Sequence, residues 1–185
     1  ILLPLRYNGV LFELDRGVRT QSHPELAPDW ALSMGEVREL LDYARRAGLR
    51  VGLEYNTPGH QNETNIQTVY PNLLEPLPAD AGGSTLCLSS EKARRVVSDV
   101  IGELVRDLQP DLFHVGADEA QLQGCETSFG HCPLCRDRSP DALFAEYIEW
   151  LLSLVDAPGV QRAIWSDMFL TQGQFGPMVS GNGSA

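Results

Sequence analysis

The sequence contains no apolar run approaching the roughly 18 to 20 residues that cross a bilayer, and its N-terminus lacks the charged, apolar and small-residue order of a secretory leader. The first lack argues against a helical membrane span. The second leaves the compartment open, because the chain starts at Ile1 rather than Met. Basic charge is scarce: 14 Lys and Arg stand against 25 Asp and Glu, a net charge of -11. A surface of that sign repels phosphate backbones and anionic lipid, so neither nucleic acid nor a membrane is an expected partner. Cysteine is also sparse, four residues in 185, too few for a small scaffold stapled by disulfides. There is no low-complexity tract, exact repeat or long linker. A Gly-x-Ser-x-Gly elbow and a phosphate-cradling glycine loop are missing too, which weighs against an α/β hydrolase or a nucleotide-binding protein on an open sheet.

What is present suits one globular unit with a substantial core, 43% hydrophobic and 21% charged. Apolar strand-like runs alternate with helix-like patterns. Val10–Leu14 reads as a strand, and Ser33-Met-Gly-Glu36 then forms a capping-box pattern ahead of Val37, Leu40, Leu41 and Ala44. Leu49–Glu54 is the next strand, running into Asn56-Thr-Pro-Gly-His60 and a long loop to about residue 88. Ser89 or Ser90 caps a helix whose apolar face runs from Ala93 to Leu108, and Pro110 closes it. Leu112–Val115 is a third strand. Ser139-Pro140-Asp141 opens another helix, and Ala163–Trp165 is a fourth strand. Strand and helix in alternation imply right-handed crossovers and a parallel sheet, either open or part of a barrel.

Each strand leads into polar chemistry at its C-terminal end: Glu13 and Asp15, then Glu54, Asn56 and His60, then Asp118 and Glu119, then Trp165 and Asp167. One mouth ringed from several strands is how barrel enzymes build sites, although an open sheet also binds at its carboxyl edge. The sharpest feature is His114-Val-Gly-Ala-Asp118-Glu119. An Asp-Glu pair is by itself ordinary solvated loop, but here it lies just beyond an apolar strand and behind a glycine. Adjacent residues at a strand end point apart, so the two acids can take different roles. His114 reads more readily as a satisfied core histidine than as a participant, and Trp165 divides evenly between core and site. Glu13, Asp15 and Arg16 fit contacts to the hydroxyls of a ligand or surface pairing equally.

These residues resemble glycoside hydrolase family 20, whose active-site strand carries His-x-Gly-x-Asp-Glu, matched here at all four fixed positions. The likeness covers nearly the whole chain. Tyr7-Asn8-Gly9-Val10 through Asp15 resembles the family's second barrel strand, Tyr43-Ala44 through Glu54 its next helix and strand, Thr57-Pro58-Gly59-His60 its Pro-Gly-His loop, and Ile164-Trp165-Ser166-Asp167-Met168 the segment after its fifth strand. The resemblance implies an α/β fold, a partial (β/α)8 barrel of about strands 2 to 5, in a single catalytic region spanning 1–185 and cut at both ends. It implies release of terminal β-linked N-acetylglucosamine or N-acetylgalactosamine from a glycan by substrate-assisted, retaining hydrolysis through an oxazolinium ion. Glu119 would be the general acid and base, and Asp118 would hold the acetamido group. His60 would belong to the network behind the acids, and Trp165 would stack on the sugar, with Asp167 lining the mouth. No cofactor is required.

One departure stands out: the family's loop usually carries Asp where this chain has Asn56, which cannot supply charge. With Asn56 and the truncation, a carbohydrate-binding pseudoenzyme is the alternative. The sugar-binding Arg of the first strand and a later Tyr fall outside the segment, so the segment alone is expected to be inactive.

Cys125-x6-Cys132-Pro-Leu-Cys135 with His131 offers up to four ligands in one loop, and a Cys-x2-Cys knuckle is a zinc element. Structural zinc, a disulfide and free thiols all fit this pattern. Any zinc here would brace the loop after the acid pair.

Overall fold

The computed structural model describes residues 6–77, 84–120 and 127–169. In chain order the elements are β1 (Gly9–Glu13), β2 (Val18–Arg19), β3 (Leu32–Ser33), α1 (Met34–Arg46), β4 (Arg50–Thr57), α2 (Ile66–Val69), α3 (Glu91–Leu108), β5 (Leu112–Gly116), α4 (Pro140–Leu154) and β6 (Gln161–Ala163). Four strands form a parallel sheet in the order β1-β4-β5-β6. Because every strand runs the same way and is joined to the next by a helical crossover, all carboxyl ends open on one edge. Register places Glu13 beside Glu54, Glu54 beside His114, and Thr57 beside Gly116.

Local chemistry explains the helices. Ser33 caps α1 through a reciprocal box: its hydroxyl accepts from the Glu36 amide at 3.2 Å while Glu36 accepts from the Ser33 amide at 2.8 Å. Ser90 caps α3, accepting from the Ala93 amide at 3.3 Å. Every expected apolar position from Ala93 to Leu108 is buried, as are Phe144, Tyr147, Ile148, Leu151 and Val155. These faces pack on the sheet's Val51, Leu53, Phe113 and Val115 in one continuous core. Among the described residues no helix is long and apolar enough to cross a membrane.

The structure departs from the sequence pattern at several points. Leu40 is 40% exposed, so the buried stripe of α1 is Met34, Val37, Leu41 and Ala44. Ser139 sits at the N-cap of α4 without a side-chain cap bond, leaving Pro140 to start the helix by its fixed φ. The last strand is Gln161–Ala163 rather than Ala163–Trp165. Trp165 lies past its end, where its amide still bonds the Gly116 carbonyl at 2.9 Å. β4 extends to Thr57, carrying Asn56 within the strand. The long loop after it holds α2 and an antiparallel bridge between Leu74 and Leu86, and the short pair β2/β3 left no periodic signal in two-residue strands.

Gly116 ends β5 with φ +69°, and a Cβ there would lie 2.4 Å from Asn56 Oδ1 and 3.0 Å from Asn56 Cα. Gly116→Ala is therefore expected to cost about 2–4 kcal/mol, from the left-handed backbone and the overpacking together. Urea denaturation checks this as a lower midpoint at unchanged slope; a shift below about 1 kcal/mol would show that β4 gives way freely.

Candidate active site

The acid pair is held on a backbone that few residues adopt. Gly116, Ala117 and Glu119 have φ of 69°, 73° and 47°, left-handed conformations that cost a non-glycine residue about 1–3 kcal/mol each unless the surroundings enforce them. The enforcement is visible. The Ala117 amide donates to the Thr57 carbonyl at 3.1 Å, and the Glu119 amide donates to Asp167 Oδ2 at 2.9 Å. From the other side Gly59 presses close, since a Cβ on it would stand 2.9 Å from the Asp118 carbonyl oxygen. The Pro-Gly-His loop thus needs its glycine to let His60 reach the acids.

His60 Nε2 lies 3.4 Å from Asp118 Oδ2 and 3.6 Å from Glu119 Oε2, ion-pair contacts rather than aligned hydrogen bonds. Pairing with Asp118 pushes the His60 pKa up to about 9, against its partial burial. His60 is thus a cation at neutral pH, facing both carboxylates. Asp118 Oδ1 is buried and has no hydrogen-bond partner among the described residues.

Behind this group, His114 is buried with Nδ1 accepting from the Gly116 amide at 3.0 Å. Burial lowers its pKa, so the ring is neutral with its proton on Nε2. Glu54 Oε1, 3.3 Å from the same Nδ1, takes its hydrogen bond instead from Trp165 Nε1 at 2.8 Å. Burial raises the Glu54 pKa and the Glu13 and Asp118 charges add to it, with the Trp165 bond opposing. The Trp165 ring leans on His114 with centroids 4.6 Å apart and is itself 45% exposed. Asp167, raised by burial and by Asp118, spends one oxygen on the Glu119 amide.

Asn56 and Asp15 belong to a support rather than to the mouth. Asp15 is buried, accepting from the Asn56 amide at 2.9 Å and from Nδ2 at 3.3 Å, and Asn56 Nδ2 also donates to Glu13 at 3.1 Å. The ligand-contact option for Asp15 gives way to this role, because both its oxygens are engaged inward. An aspartate at 56 would lose the donor and set a third carboxylate against Glu13 and Asp15. Burial drives Asp15 up to about 7, opposed by the Asn56 amide and aided by Glu13. Arg16 turns away to the Asn62 carbonyl at 3.3 Å. Gln61, which no motif marked, is fully buried and braces the loop through the Gly59 carbonyl at 2.5 Å and the Asn56 carbonyl at 3.3 Å.

Asp15 and His60 act on stability with the same sign. A group whose folded pKa lies above its unfolded one contributes fully below the unfolded value, and that contribution is lost as pH rises through the folded one. The windows run from 3.8 to about 7 for Asp15 and from 6.5 to about 9 for His60. Tm is therefore expected to fall as pH rises across this span, and Asp15→Asn should flatten its lower part in calorimetry. An unchanged profile in that variant would remove Asp15 as a source.

The cysteine loop assembles differently from its spacing. Cys132 and Cys135 meet Cys87 and Glu75, whereas His131 turns its Nε2 to the Thr127 carbonyl at 2.8 Å. His131 therefore does not join the sulfurs, and Cys125 lies outside the described residues. Cys87 was missed because Leu86-Cys87-Leu88 reads as a plain apolar triplet far from the knuckle.

Acids, a histidine cation and an indole are gathered at the carboxyl edge of a parallel α/β sheet, the place where α/β folds of this kind bind ligands. The catalytic-domain description of Glycosyl hydrolase family 20 matches residues 16–180, and the chain belongs to that family. It is similar to a probable beta-hexosaminidase of Arthroderma benhamiae, 24% identical over 84% of this chain and 29% of that protein. Among solved structures it resembles the beta-N-acetylhexosaminidase of Bacteroides fragilis (TM-score 0.68, 19% identity, 88% of this chain and 36% of that one). The GH20 beta-N-acetylhexosaminidase of Streptomyces coelicolor is equally near (TM-score 0.66, 23% identity, 88% and 34%). The fold is a partial (β/α)8 barrel, and the chain spans about a third of the length of these relatives.

Proposed function

We propose that the protein carrying this segment releases terminal β-linked N-acetylhexosamine by substrate-assisted, retaining hydrolysis. The observation that carries the proposal is the unequal setting of the two acids. Asp118 keeps a buried, unpartnered Oδ1, while Glu119 next to it is 48% exposed at the side chain. A buried acceptor with no donor among the described residues suits the N–H of an acetamido group, which Asp118 would orient while balancing the positive charge that grows on it. The 2-acetamido oxygen would attack the anomeric carbon, so the protein supplies no nucleophile. Glu119 would protonate the leaving oxygen and then take a proton from the water that opens the oxazolinium ion. Relatives named beta-hexosaminidase support the same substrate class.

The full-length protein is expected to hydrolyse a chromogenic N-acetyl-β-glucosaminide with retention, and to ignore the glucoside that lacks the acetamido group. A trifluoroacetamido substrate, whose oxygen is a poorer nucleophile, should react much more slowly. Binding of the sugar without turnover would establish the pseudoenzyme alternative and end this reading.

A further inference from the structure

We propose that Cys87, Cys132, Cys135 and Glu75 form a tetrahedral site for one structural zinc ion, a clamp between the loop after β4 and the loop after β5. Glu75 and all three cysteines are buried, and their ligand atoms lie within 4.8 Å of one another. Zinc–sulfur bonds of ~2.3 Å in a tetrahedron set sulfurs about 3.8 Å apart. The Cys87–Cys135 separation is 3.7 Å and the Cys87–Cys132 separation 3.1 Å. The first already fits, and the second needs to open by about 0.7 Å. A disulfide, at ~2.05 Å, would instead need the Cys87–Cys132 pair to close by about 1 Å.

The fourth position belongs to Glu75. Glu75 Oε2 accepts from the amides of His131 at 3.0 Å and Cys132 at 2.7 Å, which fixes the carboxylate against the knuckle. Its Oε1 is buried and has no hydrogen-bond partner among the described residues. A buried carboxylate oxygen left unsatisfied beside three sulfurs is costly, and a divalent cation resolves the cost directly. Cys135 Sγ lies 3.3 Å from the Ser89 hydroxyl, a polar neighbour for the cluster beyond its four ligand atoms. Zinc binding would release the three thiol protons to solvent and involves no change of oxidation state.

The clamp bears on the catalytic loop. Thr85 and Ser128 hydroxyls bond at 2.6 Å across the two loops, and the Ser128 amide donates at 3.0 Å to the carbonyl of Ala120, the residue after Glu119. Fastening the loops at the cysteines therefore restrains the strained turn that carries the acids.

The full-length protein, purified without chelator, is expected to hold one zinc per chain by elemental analysis. After zinc removal, one equivalent of Co(II) should produce thiolate charge-transfer absorption and intense tetrahedral bands in the visible. Cys87→Ser and Glu75→Gln should weaken zinc retention by on the order of 100-fold or more, above the ~10–100-fold cost of an outer-shell change. Cys125→Ser should leave it unchanged. The wild-type cobalt spectrum does not depend on any variant folding. Metal-free protein from a zinc-replete preparation, whether its thiols titrate freely or two are missing as a Cys87–Cys132 disulfide, would overturn the site. Zinc lost in Cys125→Ser but kept in Glu75→Gln would overturn Glu75 as the fourth ligand.

Discussion

Glu119→Gln is expected to lower kcat/KM of the full-length protein by roughly 10²–10⁴-fold on an N-acetylhexosaminide with an alkoxide leaving group. The loss should be far smaller on an aryl substrate whose phenolate departs without a proton. Because kcat/KM reports bond cleavage, the loss follows the leaving group: an amide cannot deliver the proton that an alkoxide needs. Glutamine keeps the size of the side chain, and the backbone bond from residue 119 to Asp167 does not involve it, so the fold should persist. An equal loss on both substrates would assign Glu119 a positioning role.

Asp118→Asn is expected to reduce kcat by about 10²–10³-fold, the scale of removing one preorganised electrostatic contact to a developing charge. KM should move much less, because the charge on the acetamido group develops after binding. The same substitution has a second readout, independent of turnover. Pairing with Asp118 is the main cause of the raised His60 pKa, and burial opposes it. Without the carboxylate the imidazole should titrate well below 9, followed by the His60 ring resonances in a pH titration. A His60 pKa that stays near its present value would show that Glu119 and Glu63, the weaker contributors, hold the proton instead.

The two acids also show how far linear pattern reaches. His114, Gly116, Asp118 and Glu119 were legible because four fixed residue types fall within six positions, at the end of an apolar strand. The Pro-Gly-His turn and Trp165 were legible for the same local reason. The partners that decide their states were not. Trp165 donates to Glu54 across 111 positions and Glu119 to Asp167 across 48, and no periodicity carries that information. Asn56 read as a defect against the family pattern, yet in three dimensions it is the donor that Glu13 and Asp15 share. The cysteine knuckle was visible as a spacing, while Glu75 and Cys87 came from a loop whose long-range approach depends on the whole sheet edge.

By itself the sequence determined the alternation of strands and helices, the cap at Ser33, the apolar faces and the family, and it singled out the adjacent Asp118 and Glu119. Each of these follows from residues within a turn or a strand of one another, where propensity and side-chain spacing act directly. Only the tertiary structure decided that His60 is the cation between Asp118 and Glu119, that His114 is neutral, that Asp15 is buried, and that the metal-type cluster is drawn from two loops. Those outcomes depend on burial and on charges brought together from distant segments, and desolvation and Coulomb interaction are set by position in space rather than along the chain.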